Sequence, residues 1–265
     1  MIKSLFETYG GRANISRASP HRNGIRIRIV DESTTIIPAR EFYQAQSVIE
    51  VICQGGIVKI ETLAFYSCTL VKRIEIKGVE EIEPLAFCDC EAVTHVECPK
   101  LKIVGEEAFL GCGSLNSIDL TSVKIVDVHG FTDCLSMKEA KFGWDLELIR
   151  EGAFMGCLSL ERITIPLIDG VISHDDIFMG CKNLKHVDLV EGNYLRKSIP
   201  FLLLEEWSDD LTQEMDSIQQ ILPQTSAGDY NNGVVGEKAQ VIRIWIRRFL
   251  DKLPTMMPSI PGHQT

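Results

Sequence analysis

The 265-residue sequence predicts a β-rich solenoid of about seven stacked coils, each 22–24 residues long, closed at its C-terminal end by helices. Three observations carry this prediction. Phe65, Phe87, Phe109, Phe131, Phe154 and Phe178 recur at spacings of 22, 22, 22, 23 and 24 residues. Three residues after each stands a cysteine: Cys68, Cys90, Cys112, Cys134, Cys157 and Cys181. Further apolar residues keep fixed offsets from each Phe–Cys pair. A constant period of this length marks an array in which no unit can bury its own apolar face, so that neighbours must stack.

Residues 1–23 form an N-terminal extension. Over the first thirty residues Lys3, Arg12, Arg17, Arg22, Arg26 and Arg28 stand against Glu7 alone, and no apolar block of secretory type is present. The array occupies residues 24–199. It opens on the alternating run Ile25-Arg-Ile-Arg-Ile-Val30, read as a strand that closes the first end. A degenerate copy follows, with Ile37, Phe42, Val48, Val51 and Cys53 at the repeat offsets and Ala45 in the cysteine's place.

In the full copies a branched apolar residue precedes each Phe by five positions: Ile60, Ile82, Val104, Val126 and Ile149, a series broken at Ser173. A small residue stands directly before the Phe (Ala64, Ala86, Ala108, Gly130, Ala153), with Ile177 as the exception. Three, six and eight residues after the cysteine come further apolar positions, as in Leu115, Ile118 and Leu120. That alternation is the pattern of a half-buried strand. The run Val104–Phe109 is read as the returning side, a short strand and a helical turn. The phenylalanine fills the coil and the small residue lets the next coil approach. At about 4.8 Å per strand, seven coils form a slab roughly 30 Å long.

Residues 200–253 are read as a two-helix cap. Ser208 is an N-cap candidate, and Leu211, Met215, Ile218 and Leu222 follow at helical spacing until Pro223. A Gly/Asn-containing loop leads to a second helix from Glu237 to Leu253. Its stripe is Ile242, Trp245, Ile246, Phe249 and Leu253, and its other side carries Arg243, Arg247 and Lys252. Pro254 is expected to end it, and residues 254–265 form a disordered tail. The stripe allows three uses: a cap on the solenoid's end, a docking helix that buries Ile242, Trp245 and Phe249 against another chain, or a basic membrane-surface helix.

The pattern Ala-Phe-x-x-Cys followed by Leu-x-x-Ile-x-Leu resembles the BspA-type (treponemal-type) leucine-rich repeat family, best over Ile149–Ile165 and Val104–Leu120. The segments Tyr9-Gly-Gly-Arg-Ala13, Ile37-Pro-Ala-Arg40, Leu203-Leu-Glu-Glu-Trp207 and Trp245-Ile-Arg247 are similar to the flanks of the family's intracellular microalgal members. The resemblance covers about residues 5–253. It implies a leucine-rich repeat solenoid, a β-rich α/β right-handed coil with a helical cap, acting as a protein-interaction scaffold with no catalytic residue to carry over. Those relatives continue the second helix through further charged turns, where this chain has Pro254.

Composition narrows the function. With 45% hydrophobic and 24% charged residues the chain is not mainly disordered. No stretch approaches the ~18 apolar residues of a membrane span, and the expected location is cytoplasmic, with the nucleus also open. The net charge is −10, and residues 57–199 carry 15 basic and 23 acidic groups, which disfavours nucleic acid as a partner. The six spaced cysteines suit a buried ladder of free thiols better than a zinc site or a disulfide framework. Cys88 is the odd thiol expected to be most exposed. There is no nucleophile elbow, phosphate-binding loop or dinucleotide fingerprint, and no cofactor is expected.

The outward positions five and seven residues after each cysteine offer the sharpest surface candidate. Stacked, they bring Glu75, Glu97 and Asp119 into one column beside Arg73, His95 and Lys141. Like charges on adjacent rungs repel. Either Arg73, His95 and Lys141 neutralise the column, or it is a landing site for a basic partner segment, or it holds a divalent cation or acid–base pair. A non-catalytic protein-binding scaffold is the expected function. The alternatives are self-association through the C-terminal helix, or a metal-dependent hydrolase.

Overall fold

The computed structural model describes residues 25–29, 33–53, 56–190, 222 and 237–256. Each coil contributes one long strand, one short strand and a turn. The long strands follow the cysteine and pair in parallel with the next coil, Ile74 beside Val96 and Val96 beside Ile118. Ile25–Ile29, Val48–Cys53, Arg73–Ile76, His95–Glu97 and Ser117–Ile118 make one sheet, and Glu139–Lys141, Arg162–Pro166 and His186–Val190 a second. Between them Leu120 and Phe142 form an isolated bridge. Ala140 is the small member of the inward column there, and Ile118 beside it is only partly buried. The short strands, from Ile36–Ile37 to Leu148–Ile149, form a six-stranded parallel sheet on another side.

The opening strand and the degenerate copy are in place: Ile25–Ile29 pairs with Val48–Cys53, and Phe42 joins the ring stack. From Phe42 to Phe178 the seven rings lie face to face, with centroids 4.9–5.9 Å apart and planes within 17°. Such offset stacking adds to simple burial. Ala64, Ala86, Ala108, Gly130 and Ala153 are buried beside the rings. A β-carbon built on Gly130 would lie 2.9 Å from Val126 Cγ1, so even an alanine there would make that side chain shift.

The thiols do more than fill space. Each ladder cysteine donates its S–H to the carbonyl of the phenylalanine in the preceding coil, Cys90 to Phe65 at 3.2 Å and Cys112 to Phe87 at 3.2 Å, through to Cys181 and Phe154 at 3.0 Å. These bonds are individually weak, but they recur at every step. Cys88 is buried, 3% exposed, contrary to expectation.

In the described coils before the last, the expected helical turn is absent. An α-helical turn would send its amides back along its own chain, whereas here alternate amides cross to the next coil: Leu85 N–H to Glu106, Phe87 to Ala108 and Asp89 to Leu110. Left-handed residues flank each phenylalanine to aim those amides. They include Leu63, Leu85, Glu107 and His129 before it, and Ser67, Asp89, Gly111 and Gly156 after it. The break in the short-strand column at Ser173 is also repaired. The longer last repeat lets Ile172 bridge to Ile149, and a 3₁₀ turn, Asp176–Phe178, brings buried Ile177 into the alanine's place.

The C-terminal end is closed by the helix Glu237–Met256, α1. It continues three residues past the expected end, since proline at 254 removes one donor without undoing the last turn. Ala239, Ile242, Trp245, Ile246 and Phe249 belong to the solenoid's own core. Lys238, 6% exposed, donates to the carbonyls of Cys181 (2.6 Å) and Leu184 (2.9 Å) and so ties the helix to the last coil. Leu222 adds one more rung, its N–H donating to Lys185 at 3.0 Å. It is not helical, and the rest of the first expected cap helix lies outside the described residues, as do residues 1–24 and the tail beyond 256.

Candidate interaction surface

The long-strand face brings part of the predicted cluster together. Arg73 pairs with His95 and Glu75 with Glu97 across adjacent strands. The carboxylates are already engaged. Glu75 forms an ion pair with Arg73 on its own strand, its side chain only 12% exposed, and Glu97 meets Lys77 at 3.0 Å. Asp119 falls beyond the strand Ser117–Ile118 and turns onto its own loop, accepting from the Thr121 N–H at 3.0 Å and hydroxyl at 2.6 Å. The column of three carboxylates is therefore two on paired strands and one in a loop. Lys77 does the neutralising expected of Lys141, which lies in the other long-strand sheet beside Thr164. His95 Nδ1 lies 2.8 Å from the Ser117 hydroxyl. Farther along, Arg162 grips Asp188 at 2.7 Å to each oxygen.

The docking reading of α1 is corrected. Ile242 (0%), Trp245 (6%) and Phe249 (1%) are buried against the last coil, so that stripe cannot cover another chain without leaving this one. An uncovered solenoid end would expose the whole apolar cross-section of a coil, and covering it is the stronger use of the stripe.

Two features had no signal in the sequence. One is a cleft of about 720 Å³ between α1 and the loop Asp169–Asp176, crossed by the ion pairs Arg243–Asp175 and Arg247–Asp169 and lined also by Ser173 and His174. Its members lie more than sixty residues apart and outside the repeat register. The other is the turn face, where Tyr43, Tyr66 and Leu110, each directly after its phenylalanine, are exposed or half-buried while Cys88 and Thr132 are buried. Tyr43 stacks on Tyr66 there at 5.2 Å. Among the described residues no group of three or more His, Cys, Asp or Glu side chains is arranged to hold a metal ion, and no helix is long and apolar enough to cross a membrane.

Stacked parallel coils with a ring-and-thiol ladder define a leucine-rich repeat solenoid. The chain belongs to the BspA type leucine rich repeat family, whose repeat region matches residues 23–138 and 102–199 in six copies. Among solved structures it is similar to a leucine rich cell surface protein from Faecalibacterium prausnitzii A2-165, at 19% identity over 64% of this chain with a TM-score of 0.32. That match spans 62% of the Faecalibacterium chain, under two thirds of its length. A leucine-rich repeat protein from Bacteroides ovatus is 18% identical over 64% of this chain and 68% of its own, with a TM-score of 0.38. A T. pallidum leucine-rich repeat protein is 21% identical over 72% of this chain and 90% of its own, with a TM-score of 0.40. No curated protein matches.

Proposed function

We propose that this protein is a non-catalytic scaffold that presents a rigid repeat surface to another protein. One observation carries the reading. Every described coil is tied to the next by main-chain bonds, a stacked ring and a thiol bond, so surface side chains are ordered before a partner arrives. Pre-ordering reduces the entropy lost on association. The landing face is the long-strand side at Arg73, Glu75, His95, Glu97, Asp119 and Lys141, and the partner segment is basic. Such a segment competes with Arg73 and Lys77 for Glu75 and Glu97, which tunes the contact towards speed and selectivity more than towards affinity. The test is capture by wild type and by the triple variant Glu75→Lys, Glu97→Lys, Asp119→Lys, with circular dichroism to verify folding. A protein retained by wild type and lost by the folded variant is the expected result. Capture of the same protein by both would remove the strand face from the proposal.

A further inference from the structure

The turn side of the first four coils combines an apolar surface with a net acidic rim. Outward positions there read Tyr43, Leu63, Tyr66, Leu85 and Leu110. Tyr43 is 43% exposed and the others are half-buried. Cys88 lies flush among them. From three residues before each phenylalanine to three after it, the first six coils carry Glu41, Asp89, Glu106, Glu107, Asp133 and Glu151, against Arg40 alone. Asp89 acts on two neighbours. The Tyr66 hydroxyl is pushed up by Cys88 and Asp89, and the Cys88 thiol is pushed up to about 12 by burial and then by Asp89 and Glu107.

From this we infer that the turn face of the first four coils is a docking surface for a basic amphipathic helix of a partner protein. The geometry suits a helix laid along the solenoid axis. The rings beneath this face repeat every 4.9, 5.0 and 5.4 Å. An α-helix rises about 5.4 Å per turn, so leucines at i, i+4 and i+7 set roughly one side chain over each coil. Lysines flanking that stripe meet the acidic rim, and the two stacked tyrosines supply a broad, already ordered contact. The inference rests on the scaffold reading and moves its principal contact to a different side of the coil.

The probe is a helical peptide of leucines at i, i+4, i+7 and i+11 with lysines elsewhere. Its control is the same peptide with glutamates. Fluorescence anisotropy is measured with wild type, with Leu85→Asp, with the double variant Asp89→Lys/Glu107→Lys, and with the strand-face triple variant. We expect binding of the lysine peptide alone, about tenfold weaker binding with the charge double, and a loss with Leu85→Asp. The strand-face triple should bind as wild type does. The rim residues are exposed or half-buried, so the double variant keeps the test valid should Leu85→Asp fail to fold. Equal binding of both peptides, or loss only in the strand-face triple, overturns the inference. If no peptide binds while wild type still captures a protein through the strand face, the turn-face inference falls and the scaffold reading stands. Concentration-dependent mass abolished both by Ile244→Glu, on the exposed side of α1, and by the charge double would assign the face to a second copy and overturn it equally.

Discussion

The thiol ladder makes stability depend on alkaline pH. Cys90, Cys98, Cys112 and Cys134 are all fully buried, and burial pushes each thiol above its ordinary value near 9, Cys98 to about 12. The native protein keeps these protons where the unfolded chain surrenders them. Groups raised in the fold contribute stability that is complete below the unfolded value and is lost as pH climbs towards the folded one. Above pH 9 each such thiol removes about 1.4 kcal/mol per pH unit, so these four alone remove roughly 5–6 kcal/mol per unit. A domain with a typical stability of about 5–15 kcal/mol then unfolds within one to three units above pH 9. Urea midpoints at pH 7.5, 8.5, 9.5 and 10.5 measure this, with a plateau below 8.5 and a steep fall above 9. Cys112→Ala isolates the thiol contribution from tyrosine and lysine titration, because its slope should be shallower by the equivalent of one proton. A wild-type midpoint that stays flat from pH 8 to 10.5, or an unchanged slope in Cys112→Ala, would refute the reasoning.

Other consequences are checked by equilibrium denaturation at neutral pH. Phe109→Ala removes a ring stacked at 5.4 and 5.3 Å on both sides and should cost about 4–5 kcal/mol, whereas Phe42→Ala, at the end of the stack with one neighbour at 4.9 Å, should cost about half as much. Equal losses would mean that the rings do not act as a stack. Gly143→Ala would place a β-carbon 2.1 Å from the Thr121 carbonyl oxygen, a main-chain clash expected to cost about 2–3 kcal/mol, read from the same urea curves. Lys238→Met removes the donor shared by the Cys181 and Leu184 carbonyls, of which Cys181 still accepts from the Leu184 N–H at 3.2 Å, and should lower stability by about 1–3 kcal/mol, with amide exchange rising first in His186–Val190.

The parts of the fold that repeat were legible in the sequence, because a column of like residues advertises itself. Phe, Cys and the branched residues before and after them mark the ring stack, the thiol ladder and the two kinds of strand. What escaped was written in residues of ordinary type. Leu63 and Leu85 hold left-handed conformations without a glycine to signal them. A further buried column, Ile57, Val79, Leu101, Val123 and Leu146, keeps the period but lies in the corner between strands, where no alternation draws the eye. That the cysteine is a donor as well as a filler follows only from the placement of the Phe carbonyl in the coil before it. On the surface, the columns located Arg73, His95, Glu75 and Glu97 correctly, yet the partners of the carboxylates depended on Lys77 and Thr121, one and three residues outside the strands.

Contacts that recur coil after coil also set the unit in which this protein can change length. The pairing of Ile74 with Val96 and of Val96 with Ile118 is the same contact advanced by one period, and along the stack each ring faces the ring before and the ring after it. Excising a whole period, such as residues 88–109, would join columns to themselves and shorten the stack by one ring spacing of about 5 Å, as the 5.0 and 5.4 Å steps indicate. Removing half a period would put Phe against strand. The gene can therefore lengthen or shorten by duplication or loss of one coil without a new core. Selection on such a protein acts chiefly on which surface side chains the copied coil brings along.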